Sequence, residues 1–236
     1  MRAGFALTFL AMMATTAVEA ATVTLDATHR GWYDPTGASN GGAATGNYLA
    51  GDCRGPNCGG IGVSSSDYRN WFNFDLSAVS SQISAAHLHL FNPGPPLFGP
   101  GFASDGASET YDIFDVSTAL ATLISGGGLP TWTDLGSGTG FGSHVATNTD
   151  NDAFIDIALN AAALAALNAA TGDIAFGGAV TTLNGVADDE HVFAFSVNQQ
   201  AQLVLTVDDG IAVPTPGALL LAATALFGLG FARRRG

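Results

Sequence analysis

The chain has 236 residues, 20 acidic against 7 basic, with a formal net charge of −13 and only 11% charged residues. It contains no lysine, and four of its seven arginines, Arg2 and Arg233 to Arg235, lie at the two ends. The middle therefore sets Arg30, Arg54 and Arg69 against 19 acidic residues, a net −16 that repels nucleic acid and anionic lipid surfaces and excludes nucleic acid as a partner.

In chain order, the first element is a signal peptide. Arg2 precedes the apolar run 5–14, and small residues follow up to Val18-Glu19-Ala20, so the charged, apolar and cleavage parts of a secretory signal are all present. Cleavage is expected after Ala20, which makes residues 1–20 an export helix read by the Sec translocon. Residues 21–210 then have the length of a single β-sandwich domain.

Cys53 and Cys58 are the only cysteines, separated by Arg-Gly-Pro-Asn. In an exported protein so close a pair predicts a local disulfide, because the compartment is oxidising. Zinc is the rival, but two thiolates do not complete a tetrahedral site and no histidine lies nearby at ligand spacing.

Short β-branched and aromatic runs between glycine-rich turns predict strands at 22–25, 68–76, 85–91, 110–114, 153–159, 173–176, 192–197 and 202–207. In 68–76, Tyr68, Phe72, Phe74 and Leu76 fall on one face, and Arg69, Trp71, Asn73 and Asp75 on the other. In 85–91, Ala86, Leu88 and Leu90 point inward while His87 and His89 point outward. Two residues apart on a strand, these histidines share a face and could bind a transition metal together, or simply form the polar side of a half-exposed sheet. Two short helices interrupt the strands. Ser117 is placed to cap 118–124 before Gly126-Gly127-Gly128, and Asn160 to cap the alanine-rich 161–170 before Gly172.

Candidate chemistry is sparse. Asp150, Asp152, Asp188 and Asp189 sit in turn-like segments with enough oxygen donors to make them weak candidates for Ca2+, the one candidate cofactor; turn formation explains the same residues. Trp32, Trp71 and Trp132 could form a platform that stacks on sugar rings, with Trp71 on the polar face of its strand the best placed, although aromatics in a sandwich more often fill the core. No nucleophile elbow or other catalytic signature is present, and no enzyme is predicted.

The last segment, 211–236, is tripartite. Val213-Pro214-Thr215-Pro216 breaks any preceding strand, an uncharged apolar stretch fills 217–232, and Arg233-Arg234-Arg235 closes the chain before Gly236. At about 1.5 Å per residue the stretch reaches roughly 24 Å of a hydrocarbon core about 30 Å thick, a marginal transmembrane helix whose arginines stay cytoplasmic.

This tail resembles the PEP-CTERM sorting signal of Gram-negative bacteria, in which a Pro-Glu-Pro-type motif, an apolar helix and an arginine-rich end mark a protein for an exosortase that cuts near the motif. Thr215 stands where that pattern has Glu. A second resemblance covers about a third of the chain. Phe72-Asn73-Phe74-Asp75-Leu76-Ser77 followed by Ile83-Ser84-Ala85-Ala86-His87-Leu88, with Asp115-Val116-Ser117 and Trp132 beyond, is similar to the DNRLRE and related carbohydrate-module β-sandwiches of bacterial surface proteins.

Together these readings predict an all-β, jelly-roll-like β-sandwich with two short helical insertions, flanked by a signal-peptide helix and a C-terminal transmembrane helix. The resemblances imply a non-catalytic envelope or extracellular-matrix protein. It would be anchored in the inner membrane, processed by an exosortase-type enzyme and released to the surface or matrix in association with exopolysaccharide. A carbohydrate-binding module and an unrecognised hydrolase are the alternatives.

Overall fold

A computed structural model of the chain describes residues 17–58, 65–95 and 99–213. Its strands are β1 (Ala17–Asp26), β2 (His29–Tyr33), β3 (Ala50–Cys53), β4 (Arg69–Asp75), β5 (Gln82–Asn92) and β6 (Glu109–Asp115), then β7 (Gly140–Ala146), β8 (Ala153–Ala158), β9 (Asp173–Val180), β10 (Asp189–Val192) and β11 (Ala201–Val213). Three helices, α1 (Leu120–Ser125), α2 (Gly128–Asp134) and α3 (Ala161–Ala169), lie among them. Residues 22–207 form one compact unit, and the described segments 17–21 and 208–213 belong to another.

The larger unit is an all-β sandwich. One sheet has the order β1-β11-β5-β8 and the other β2-β4-β9-β6-β7, while β3 and β10 form a separate two-stranded ribbon. The facing sides meet through buried apolar rows: Leu88 and Leu90 of β5, Ile155 and Ile157 of β8, and Leu203 and Leu205 of β11 on one side, Phe72, Phe74, Tyr111, Ile113 and Phe176 on the other. Each such side chain removed from water stabilises the fold by about 1.5–3 kcal/mol. Tyr48, wholly buried, packs edge-on against Phe72 at 5.2 Å and shares its hydroxyl hydrogen between the carbonyls of Phe91 and Gln200. Burial raises its phenol well above the ordinary range, so it stays a neutral donor.

The five-stranded sheet is covered on its other side too. Trp71 of β4 and Tyr33 of β2 pack with Leu123 of α1 and with Leu135 just after α2. The Tyr33 hydroxyl donates to the Leu123 carbonyl at 2.7 Å and accepts from the Gly127 N–H at 3.0 Å, tying the end of α1 to the sheet. Gly177 of β9 permits this approach, because a Cβ there would lie 2.4 Å from the Leu135 carbonyl oxygen. Trp71, expected on a polar outward face, is therefore fully buried.

Several local expectations change. Residues 192–197 are not a strand: β10 ends at Val192, and Phe193 and Phe195 take φ of 59° and 61°, a left-handed backbone that bulky residues adopt only under tertiary constraint. The Phe193 N–H donates to Asn92 Oδ1 at 2.9 Å and its ring packs on Tyr48 and Tyr111, which supplies that constraint. Helix α1 starts at Leu120 after Ala119, and Ser117 instead binds the Asp134 carboxylate through its N–H and hydroxyl. Helix α2 was not anticipated, so the insertions number three among the described residues. Asn160 does cap α3, accepting from the N–H groups of Ala162 and Ala163.

At the ends, residues 17–20, expected to close the signal peptide, open β1. The rest of that segment lies outside the described residues, as do Pro214, Thr215, Pro216, the stretch 217–232 and Arg233, Arg234 and Arg235. Among the described residues no helix is long and apolar enough to cross a membrane.

Candidate cation site beside the disulfide ribbon

The densest grouping of polar chemistry gathers around the β3–β10 ribbon, although neither strand looks apolar. Its pairing sets Asp189 opposite Cys53, Glu190 opposite Asp52, His191 opposite Gly51 and Val192 opposite Ala50, and all eight residues are buried. Gly51, at φ 107°, is required: a Cβ would stand 2.2 Å from the Glu190 carbonyl oxygen.

The disulfide joins Cys53 at the end of β3 to Cys58, with Cα atoms 5.4 Å apart and both residues buried. Asp189 holds the loop between them, accepting from the N–H groups of Gly55 at 3.1 Å and Asn57 at 2.7 Å. Asp52 pairs with the Arg54 guanidinium, which also donates to the Val186 carbonyl. His191 lies against Cys58 Sγ at 3.6 Å and directs Nε2 at the Pro100 carbonyl. Burial depresses its basicity, partly offset by the Pro100 carbonyl and Asp189, so at neutral pH it is a neutral packed ring. Cys53, Cys58, Asp189 and His191 stand at ligand-like separations, but the sulfurs are already bonded to each other and offer no thiolate.

On the Glu190 side, the carboxylates of Asp105, Glu109 and Glu190 come within 4.8 Å of one another. Glu109 accepts from Ser104 and Thr182 hydroxyls, Glu190 from the Asn184 N–H at 2.9 Å, and Asp105 from the Asn184 side-chain amide at 3.1 Å. Burial pushes the Glu190 carboxyl above its ordinary range, and the Glu109 and Asp105 carboxylates push it further, against the Asn184 N–H. Three hard oxygen donors converging from the β10 strand, the β6 strand and the loop before it could hold a divalent cation of the Ca2+ kind.

No family model and no curated protein matches the chain.

The four weak Ca2+ candidates, for which turn formation is the other reading, sit in turns and loop contacts. Asp150 accepts from the Thr147 N–H at 2.7 Å and faces His144 at 3.2 Å, capping the 3-10 turn Asn148–Asp150. Asp152 takes φ 58° in the turn that leads into β8. Asp188 accepts from the Asp189 N–H, and Asp189 braces the disulfide loop. Glu109 and Asp105 were missed because no local pattern joins them to Glu190.

The tryptophans do not form one open platform. Trp71 is core. Trp132 is half-buried beneath the Arg69 guanidinium, 3.7 Å from its ring centroid, with Nε1 donating to the Asp67 carbonyl. Trp32 is half-buried edge-on to Tyr68 at 4.8 Å, beside the disulfide cluster. A cleft of about 150 Å³ lined by Leu76, Ser81, Gln82 and Asn168 is well below the ~300–1,000 Å³ usual for small-molecule sites.

Proposed function

We propose that the chain is a non-catalytic exported protein of the bacterial envelope or extracellular matrix, whose jelly-roll-like sandwich is delivered by the Sec translocon and sorted by an exosortase-type enzyme through residues 213–235. The observation that carries the reading is the buried Cys53–Cys58 disulfide, braced by Asp189 within a fully buried ribbon. Structural disulfides belong to oxidising compartments, so this bond and the two terminal signals agree on export. A sandwich stapled in this way and rich in acidic residues suits a soluble domain held outside the cell, and its association with exopolysaccharide rests on the resemblance of the tail. The carbohydrate-binding alternative loses its leading residue with the burial of Trp71.

The test is genetic. Replacing Pro214 and Pro216 by alanine, or deleting Arg233 to Arg235, should leave the full-length precursor in the inner-membrane fraction and deplete the surface and extracellular pools. An unchanged distribution in both variants would reject sorting through this tail.

A further inference from the structure

We propose that His87, His89 and Asp156 form a binding site for a first-row divalent transition metal on the outward face of the four-stranded sheet, a site independent of the sorting reading. β5 and β8 pair antiparallel with His89 directly opposite Asp156 and His87 opposite Ala158. The same register buries Leu88, Leu90, Ile155 and Ile157, so the period of two that points these residues into the core turns both imidazoles and the carboxylate outward together.

Nδ1 of His89 lies 2.5 Å and Nε2 of His87 3.6 Å from the same oxygen, Asp156 Oδ1. Ligands about 2.0–2.2 Å from a tetrahedral zinc ion stand roughly 3.3–3.5 Å apart, so the two observed separations bracket the required one. Admitting the ion requires the His89–Asp156 separation to widen by about 1 Å, and the exposed Asp156 side chain is the one free to turn. The His89 ring is held in place by parallel stacking on Phe154, at 4.2 Å and 9° between planes, and Phe154 is braced edge-on by Phe91 at 5.1 Å. The His87 side chain is 37% exposed and that of Asp156 62%, which leaves the solvent side open for water or an exogenous ligand.

The donor set decides the class of ion. Two imidazoles and one carboxylate suit Zn2+, Ni2+ or Cu2+, whereas the carboxylates of Asp105, Glu109 and Glu190 suit hard cations. The two clusters should therefore separate by metal. A net charge of −13 draws cations of either kind to the protein.

Titrating chelator-stripped full chain with Zn2+ alone at neutral pH by isothermal calorimetry should show one strong equivalent. Co2+ should give a visible absorption band of a site rich in imidazole. His89→Gln or Asp156→Asn, each removing a ligand, should weaken Zn2+ binding by at least about tenfold, and the double variant His87→Gln/His89→Gln should abolish it together with the Co2+ band, with circular dichroism unchanged. Asp105→Asn should leave both signals intact. A wild-type chain that binds no Zn2+, a double variant that binds it as the wild type does, or loss of binding in Asp105→Asn would each overturn the proposal. If the double variant fails to fold, the two single variants carry the test, and undiminished binding in both would overturn the proposal equally.

Discussion

The outer faces of the two sheets are different environments. On the four-stranded sheet, β5 and β8 turn one row of side chains into the core and the other, His87, His89 and Asp156, toward solvent. On the five-stranded sheet, Leu123 of α1 and Leu135 after α2 pack on Trp71 on the outer side of β4, Asn73 beside it is bonded to Thr28 and Asp173, and Asn70, Phe72 and Phe74 face the core, so residues 70–74 are buried in succession. Outward on a strand thus means wet in one sheet and packed in the other, and what decides it is an insertion contributed from 40 or more residues away in sequence.

Paired truncations test that difference most strongly. Trp71→Ala removes a fully buried ring and should cost about 3–5 kcal/mol in urea denaturation. His87→Ala, at an equally outward position on the other sheet, should stay within about 0.5 kcal/mol. Comparable losses at the two sites would break the comparison.

The next effect is covalent. Replacing Cys53 and Cys58 together by serine should cost about 2 kcal/mol, near the low end for disulfides because the loop closed is short. Chemical denaturation of the oxidised protein and the double variant measures it. Asn160→Ala, which removes the oxygen accepting from Ala162 and Ala163, should cost about 1 kcal/mol. It should also raise amide exchange in the first turn of α3.

The smallest effect depends on pH. Because the Glu190 carboxyl is shifted upward on folding, its contribution to stability is fully present below the unfolded carboxyl range and is lost as pH rises through its folded value. In the presence of EDTA, Glu190→Gln should therefore melt higher than the wild type at neutral pH, and the two curves should converge near about pH 4. A variant that melts lower at neutral pH would contradict like-charge crowding at this cluster.

How much was legible in the sequence follows the same division. β5 was readable because Leu88 and Leu90 alternate with His87 and His89, and α3 because Asn160 precedes an alanine run. β4 is legible as a strand, but its second face reads as solvent-facing, since Trp71 stands among Arg69, Asn73 and Asp75 and nothing local announces that Leu123 and Leu135 pack on it. β3 and β10 were invisible. Gly51-Asp52-Cys53 and Asp189-Glu190-His191 carry no apolar alternation, and ion pairing, loop N–H donors and the disulfide make their burial tolerable. α2 was hidden by Gly127, Gly128 and Pro130, which read as a stop signal, although proline fits the first turn of a helix. At the metal candidate, two of three ligands were visible as a pair on one strand. Asp156 was not, because strand register is a tertiary property.

Export is tested most directly by the intact mass and thiol reactivity of the protein recovered from outside the cell. Export and sorting predict a chain that begins near Ala21, lacks Arg233 to Gly236, and has Cys53 and Cys58 unreactive toward iodoacetamide until a reductant is added. A 236-residue chain confined to the cytosol, with both ends intact and both thiols free, would contradict it.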